Sequence, residues 1–207
     1  MRTRLFLCIS LLLSFGAVPS SAQNNAATAS GQTPTYTADG KLMFPSQYRE
    51  WIYLTSGVDM SYSPNAMDHS MFDNVFVNPD AYSSFLANGT WPDKTMLVLE
   101  ARMAGSKASI NKAGHYQTTE VMGREVHVKD TARFEGGWAF FGFDEDGPAK
   151  MVPKEASCYS CHQQHAAVDT TFVQFYPTLI DLAKSKGTLS QNYVKEEAAM
   201  KAEPKGK

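Results

Sequence analysis

Between residues 40 and 145 the apolar positions recur at two different periods, and the changes of period mark out the elements. Tyr48 to Thr55 is rich in aromatic and branched residues and predicts a strand or a helix-to-strand passage. A turn-prone stretch, Ser61 to Asp68, leads to a second strand over Met71 to Val77. Asn78-Pro79 then offers a cap and an N1 proline, with Asp80 suited to the positive end of a helix. That helix carries Tyr82, Phe85 and Leu86 and stops at Asn88-Gly89. Alternation returns in Lys94 to Met103, where Leu97, Leu99, Ala101 and Met103 share one face and Met96, Val98, Glu100 and Arg102 the other. Tyr116 to Lys129 places Val121, Gly123, Glu125 and His127 on a common face. Trp138 to Phe143 is apolar on both faces and predicts a central strand. Helical spacing resumes at Val168, Phe172, Phe175 and Leu179, predicting a helix over Val168 to Ala183 that Pro177 bends. Short connections between successive strands favour antiparallel pairing, so the fold class is α+β, an antiparallel sheet packed with helices.

The ends read differently. Arg2 and Arg4 precede a mostly apolar run, Leu5 to Val18, and Ser20-Ser21-Ala22 supplies small residues before a cut ahead of Gln23. This is the pattern of a signal peptide over residues 1–22, too short for a comfortable membrane span, and it predicts a periplasmic or secreted protein. Residues 23–39 form a flexible lead-in rich in Ala, Ser, Thr and Gln, and 186–207 a polar tail with at most a frayed helix. The domain itself is expected over residues 40–185.

Removing Arg2 and Arg4 from the 19 basic residues leaves 17 against 21 acidic ones. That mild acidity points to neither nucleic acid nor a membrane face. Cys8 leaves with the signal, so only two cysteines remain, and they are the informative ones.

Cys158-Tyr159-Ser160-Cys161-His162 is the attachment signature of c-type haem. On a helical turn the two sulfurs lie on one face, where each can add to a vinyl group along one porphyrin edge. His162 follows at once and brings a neutral imidazole under the ring as the iron ligand. A zinc site would want a second ligand pair, and none exists. A thioredoxin-like dithiol would sit early in a βαβ unit, whereas this pair lies in the last quarter of the chain. Only Met200 follows His162, in a polar tail, so no downstream methionine is positioned as a sixth ligand.

A late haem motif on a strand-rich body, together with several local sequences, resembles the cytochrome P-460 family, which includes the cytochromes called c′-beta. The residues carrying the likeness are Pro45 to Trp51, Phe72 to Pro79 with Tyr82, Val126 to Asp130, Gly137 to Phe140, the haem motif, and Thr171 to Pro177. The resemblance implies an antiparallel sheet with helices, a homodimer and a five-coordinate haem with His162 proximal. P-460 enzymes that oxidise hydroxylamine join a lysine to the macrocycle from the strand matching Lys94–Met103. The corresponding residue here is Leu99, so that cross-link is not expected. Leu99 is consistent with the apolar pocket of the c′-beta branch and equally with plain core. Glu125 corresponds to a distal carboxylate able to relay protons, or is a solvated strand residue. Phe72 is a candidate distal cap, or a core aromatic. His69, His115, His127 and His165 are not expected to bind iron, and Arg49, Arg124 and Arg133 are equal candidates for the haem propionates.

Two classes of function follow. One is a cytochrome that binds a small gaseous or nitrogenous ligand such as nitric oxide, or passes electrons to a periplasmic redox partner. The other is an oxidoreductase acting on hydroxylamine or nitric oxide, with Glu125 as the proton relay.

Overall fold

The computed structural model describes residues 33–62 and 69–202. Residues 1–32, which include the expected signal peptide, most of the Ser61–Asp68 turn and the last five residues lie outside the described residues.

A five-stranded antiparallel sheet in sequence order forms the centre. A short 3-10 turn, Tyr48–Glu50, leads into β1 (Ile52–Val58), so the first aromatic stretch is the helix-to-strand passage its composition suggests. β2 (Met71–Val77), α1 (Pro79–Asn88), β3 (Met96–Gly105), β4 (Tyr116–Lys129) and β5 (Trp138–Phe143) follow. α1 begins on Pro79 and ends where Gly89 adopts a left-handed conformation at φ 75°, as the Asn-Gly stop requires. Asn78 does not cap it with its side chain. Its Oδ1 instead accepts from the Met96 N–H at 2.8 Å and ties the helix start to β3.

Both sheet faces are covered, and strand parity decides which residue goes where. On one side Leu54, Val75, Val77 and Leu97 pack with Phe85 and Trp91, both almost wholly buried, and with the segment after the haem motif. Burying each such aromatic contributes about 2–3 kcal/mol. On the other side Met96, Val98, Val126, Val128, Phe141 and Phe143 meet Leu42, Phe44 and Tyr48 from the chain before β1.

Two expectations need correcting. β5 is the last strand of the sheet, not a central one. Its apolar faces are both buried because the two layers extend past it, and its outer edge is covered by Ala149–Val152, with the Val152 N–H donating to the Phe140 carbonyl at 2.8 Å. Val168 to Ala183 is not one helix either. A tight turn at Val168–Thr171 and a 3-10 turn, Val173–Phe175, precede α3 (Ile180–Lys186), with Pro177 between. Asp169, at φ 52°, sits in a left-handed conformation incompatible with helix there. The haem-motif helix is α2 (Ser157–His165), and the last helix, α4 (Gln191–Ala202), starts before the polar tail's charged run and buries Tyr193.

Candidate functional site

α2 carries Cys158, Cys161 and His162 to the rim of a cavity of about 500 Å³, within the range of sites that enclose a large organic ligand. All three residues line it, and neither cysteine is in a disulfide. Tyr159, between them, points away and fastens the helix to the sheet. Its hydroxyl donates to the Val152 carbonyl at 3.0 Å and accepts from the Phe140 N–H at 3.2 Å.

The imidazole of His162 is held on every side. Its Nδ1 lies 2.7 Å from the Thr170 carbonyl, which makes Nδ1 the protonated nitrogen and leaves Nε2 as the one to bind a metal. Phe172 packs on the ring at 4.2 Å, Phe140 at 4.6 Å and His127 edge-on at 5.2 Å. Burial keeps its pKa below the ordinary value, an effect that the Thr170 contact opposes without reversing, so the ring is neutral and able to ligate. Thr170 is itself positioned by the Val168–Thr171 turn. Asp169 of that turn pairs with Lys129 at 3.2 Å and Thr171 accepts from the Trp91 indole at 2.7 Å. His127 stacks on Phe140 and sits 3.3 Å from the Thr170 hydroxyl; burial depresses its pKa well below the usual range.

Across the cavity the sheet supplies a mostly apolar wall whose members share one pleat face. Val75 pairs with Leu99, and Leu99 with Glu125. Leu97 and His127 form the next row, and Asp73 lies opposite Ala101. Leu99 and Glu125 therefore both reach the cavity, as their strand faces suggest. Glu125 is open to solvent through the mouth, yet the surrounding protein still raises its pKa by desolvation. Gly142, which pairs with Glu125, and Gly123, two residues before it, leave open space on either side.

Phe72, the candidate distal cap, does not line the cavity. It lies between Val58 and Arg102 on the opposite pleat face, and Asp73 and Val75 are the β2 residues that line the cavity. Both parities of Met71–Val77 contain apolar residues, so alternation alone does not choose between them. The aromatic walls come instead from Phe140, Phe172, Phe175 and Tyr176. Met60 also lines the cavity, packed on the bare backbone of Gly57, where any Cβ would collide with its sulfur.

None of the arginines considered for propionate contacts lines the cavity. Arg49 pairs with Glu100, Arg124 with Asp146, and Arg133 stacks on Tyr36 near Asp130. Among the described residues no lysine lines it either; Lys94 stands in a turn at φ 65° and pairs with Asp130 at 2.5 Å. His165 faces away from the site and contacts Glu196 of α4 at 3.0 Å. Two thiols and a neutral imidazole on one helix, facing a cavity of this size with an open mouth, fit a covalently attached haem.

A search for relatives among curated proteins finds no match. The family model described as Cytochrome P460 matches residues 45–173, more than half of the chain, including the whole sheet and the haem motif. The chain belongs to the cytochrome P460 family and is a haem protein of that type.

Proposed function

We propose that this protein is an exported mono-haem c-type cytochrome of the c′-beta kind, with thioether links at Cys158 and Cys161 and His162 Nε2 as the proximal ligand. A haem bound there supplies an iron that takes one small ligand and exchanges single electrons. The observation carrying this reading is the His162 Nδ1 contact with the Thr170 carbonyl, which fixes the tautomer and ring orientation that iron ligation needs. Leu97, Leu99 and Val75 give the ligand an apolar wall, which suits nitric oxide or carbon monoxide. Leu99 has no amine, so the plain macrocycle is expected rather than one cross-linked to lysine. A periplasmic electron partner would complete the cycle.

Glu125 supports a second reading, oxidation of hydroxylamine or nitric oxide. A carboxyl on the cavity wall whose pKa is raised by desolvation is suited to taking up and releasing a proton.

The absorption spectrum of purified holoprotein tests the first reading. It predicts an ordinary c-type reduced spectrum and a high-spin, five-coordinate ferrous state that binds carbon monoxide. A strongly red-shifted Soret band would mean a modified macrocycle. The long-wavelength band of methionine-ligated ferric haem would instead mean a sixth, methionine ligand. Sustained turnover of hydroxylamine with an artificial acceptor would favour the second reading.

A further inference from the structure

Asp73 is an acidic group in the same cavity that neither reading uses. Strand register sets its position. Asp73 on β2 and Glu125 on β4 project from the same pleat face, in neighbouring rows, with Leu99 and Ala101 of β3 between them. Strands lie about 5 Å apart, so the two backbones are separated by roughly 10 Å. At that spacing the two carboxyls stand on either side of the Leu99–Ala101 stretch of the wall.

Their charge is not neutralised locally. Among the described residues no lysine or arginine lines the cavity, because Arg49 and Arg102 are committed to Glu100 and Arg124 to Asp146. Asp73 faces Glu125 across β3, Asp59 from the end of β1, and the Tyr62 phenol. Asp59 is itself bound by the Ser70 hydroxyl and the Met71 N–H and has His115 nearby. On the far side stand the neutral rings of His127 and His162. Burial raises the Asp73 pKa and the Glu125 charge raises it further, as expected of two like groups on one apolar wall.

We infer that Asp73 is a specificity-determining residue which, together with Glu125, turns anionic ligands away from the cavity and leaves neutral diatomic ligands unaffected. The inference rests on the haem-ligand reading above and adds the selection rule. An anion approaching the iron meets uncompensated negative charge from the half-buried Asp73 and from Glu125 at the mouth, whereas a neutral molecule meets only the apolar wall.

The test compares azide binding to ferric holoprotein with carbon monoxide binding to ferrous holoprotein, across pH, in wild type, Asp73→Asn and Glu125→Gln. Asp73→Asn is expected to raise azide affinity about tenfold at neutral pH, with carbon monoxide affinity within about twofold of wild type, and Glu125→Gln, whose carboxylate is exposed and screened, to raise azide affinity less. In wild type, azide affinity corrected for protonation of azide itself should fall as pH rises through the titration of the two carboxyls. That arm needs no variant and stands if a substitution fails to fold. Azide affinity unchanged in Asp73→Asn, or azide and carbon monoxide affinities shifted together, would overturn the inference. Failure of wild-type ferrous protein to bind carbon monoxide would instead overturn the ligand-binding reading, so the two failures are distinct.

Discussion

Glu100 shows how one residue behind the pocket wall can hold the strand that forms it. It follows Leu99 on β3 and therefore points away from the cavity, into the opposite layer, where it is 2% exposed. Tyr48, Arg49 and Arg102 all direct donors at its carboxylate. Burial alone would raise its pKa, but these hydrogen bonds outweigh burial and hold it below the ordinary carboxylate value. A depressed folded-state pKa contributes stability that is present above the unfolded value and is lost as pH falls through the folded one. Glu125 and Asp73, whose pKa values are raised, act in the opposite sense and gain on acidification. Comparing wild type with Glu100→Gln cancels that opposing contribution. The variant is expected to lose about 3 kcal/mol at neutral pH, since it leaves two guanidinium groups facing a neutral amide. Its stability should then vary less than wild type's as pH falls below the ordinary carboxylate range, measured by denaturant unfolding of holoprotein at several pH values. Parallel pH curves for the two proteins would show that Glu100 is not the acid-labile group.

Among the elements, the Val168–Thr171 turn matters most to the site, because its Thr170 carbonyl aims His162. Asp169→Ala removes the Lys129 ion pair and the contact to the Trp91 N–H, and puts alanine at φ 52°. The expected cost is about 1–2 kcal/mol, together with a shifted iron–histidine stretching frequency in ferrous holoprotein. Asp169→Asn tolerates the left-handed conformation and should recover most of both. An unshifted frequency in the alanine variant would separate the turn from the imidazole. This turn was not legible in the sequence, since Val168, Phe172, Phe175 and Leu179 have helical spacing and are satisfied equally by a turn, a 3-10 segment and a short helix packed on one layer. Local chemistry was legible where it was strong. Asn78-Pro79 and Asn88-Gly89 bracket α1, and the alternation in Tyr116–Lys129 put Glu125 and His127 on the correct face. Parity failed at Phe72 and strand position failed at β5 for one shared reason. When both sheet faces are buried, polar and apolar residues no longer alternate, and the sequence cannot say which side a ligand occupies. Asp73 was missed for that reason too.

At the scale of the whole molecule, the haem-motif helix is clamped between the sheet and the C-terminal helix. Tyr159 holds its inner side to β5, as described above. The outer side is held by α4 and the residue before it. The Ser190 N–H donates to the Ala167 carbonyl at 2.7 Å and its hydroxyl to the Ala166 carbonyl at 2.6 Å, just where α2 ends. Glu196 meets His165 at the last turn of α2, and Tyr193 is buried in the helical layer with Val168 and Leu179. A tail rich in Lys, Glu and Ala hides this role, because only Tyr193 interrupts its polar run with a large ring and no repeat surrounds it. Ending the chain after Leu189 therefore removes a structural clamp rather than a solvated end. Losing the Tyr193 burial and the two Ser190 hydrogen bonds should lower unfolding free energy by about 3–4 kcal/mol. The thioether links proposed at Cys158 and Cys161 would keep the haem on the chain, so haem content should stay near wild type while the thermal midpoint falls and hydrogen exchange in Ser157–His165 accelerates. A truncated holoprotein with an unchanged midpoint and unchanged exchange in α2 would show that the sheet alone fixes the haem helix.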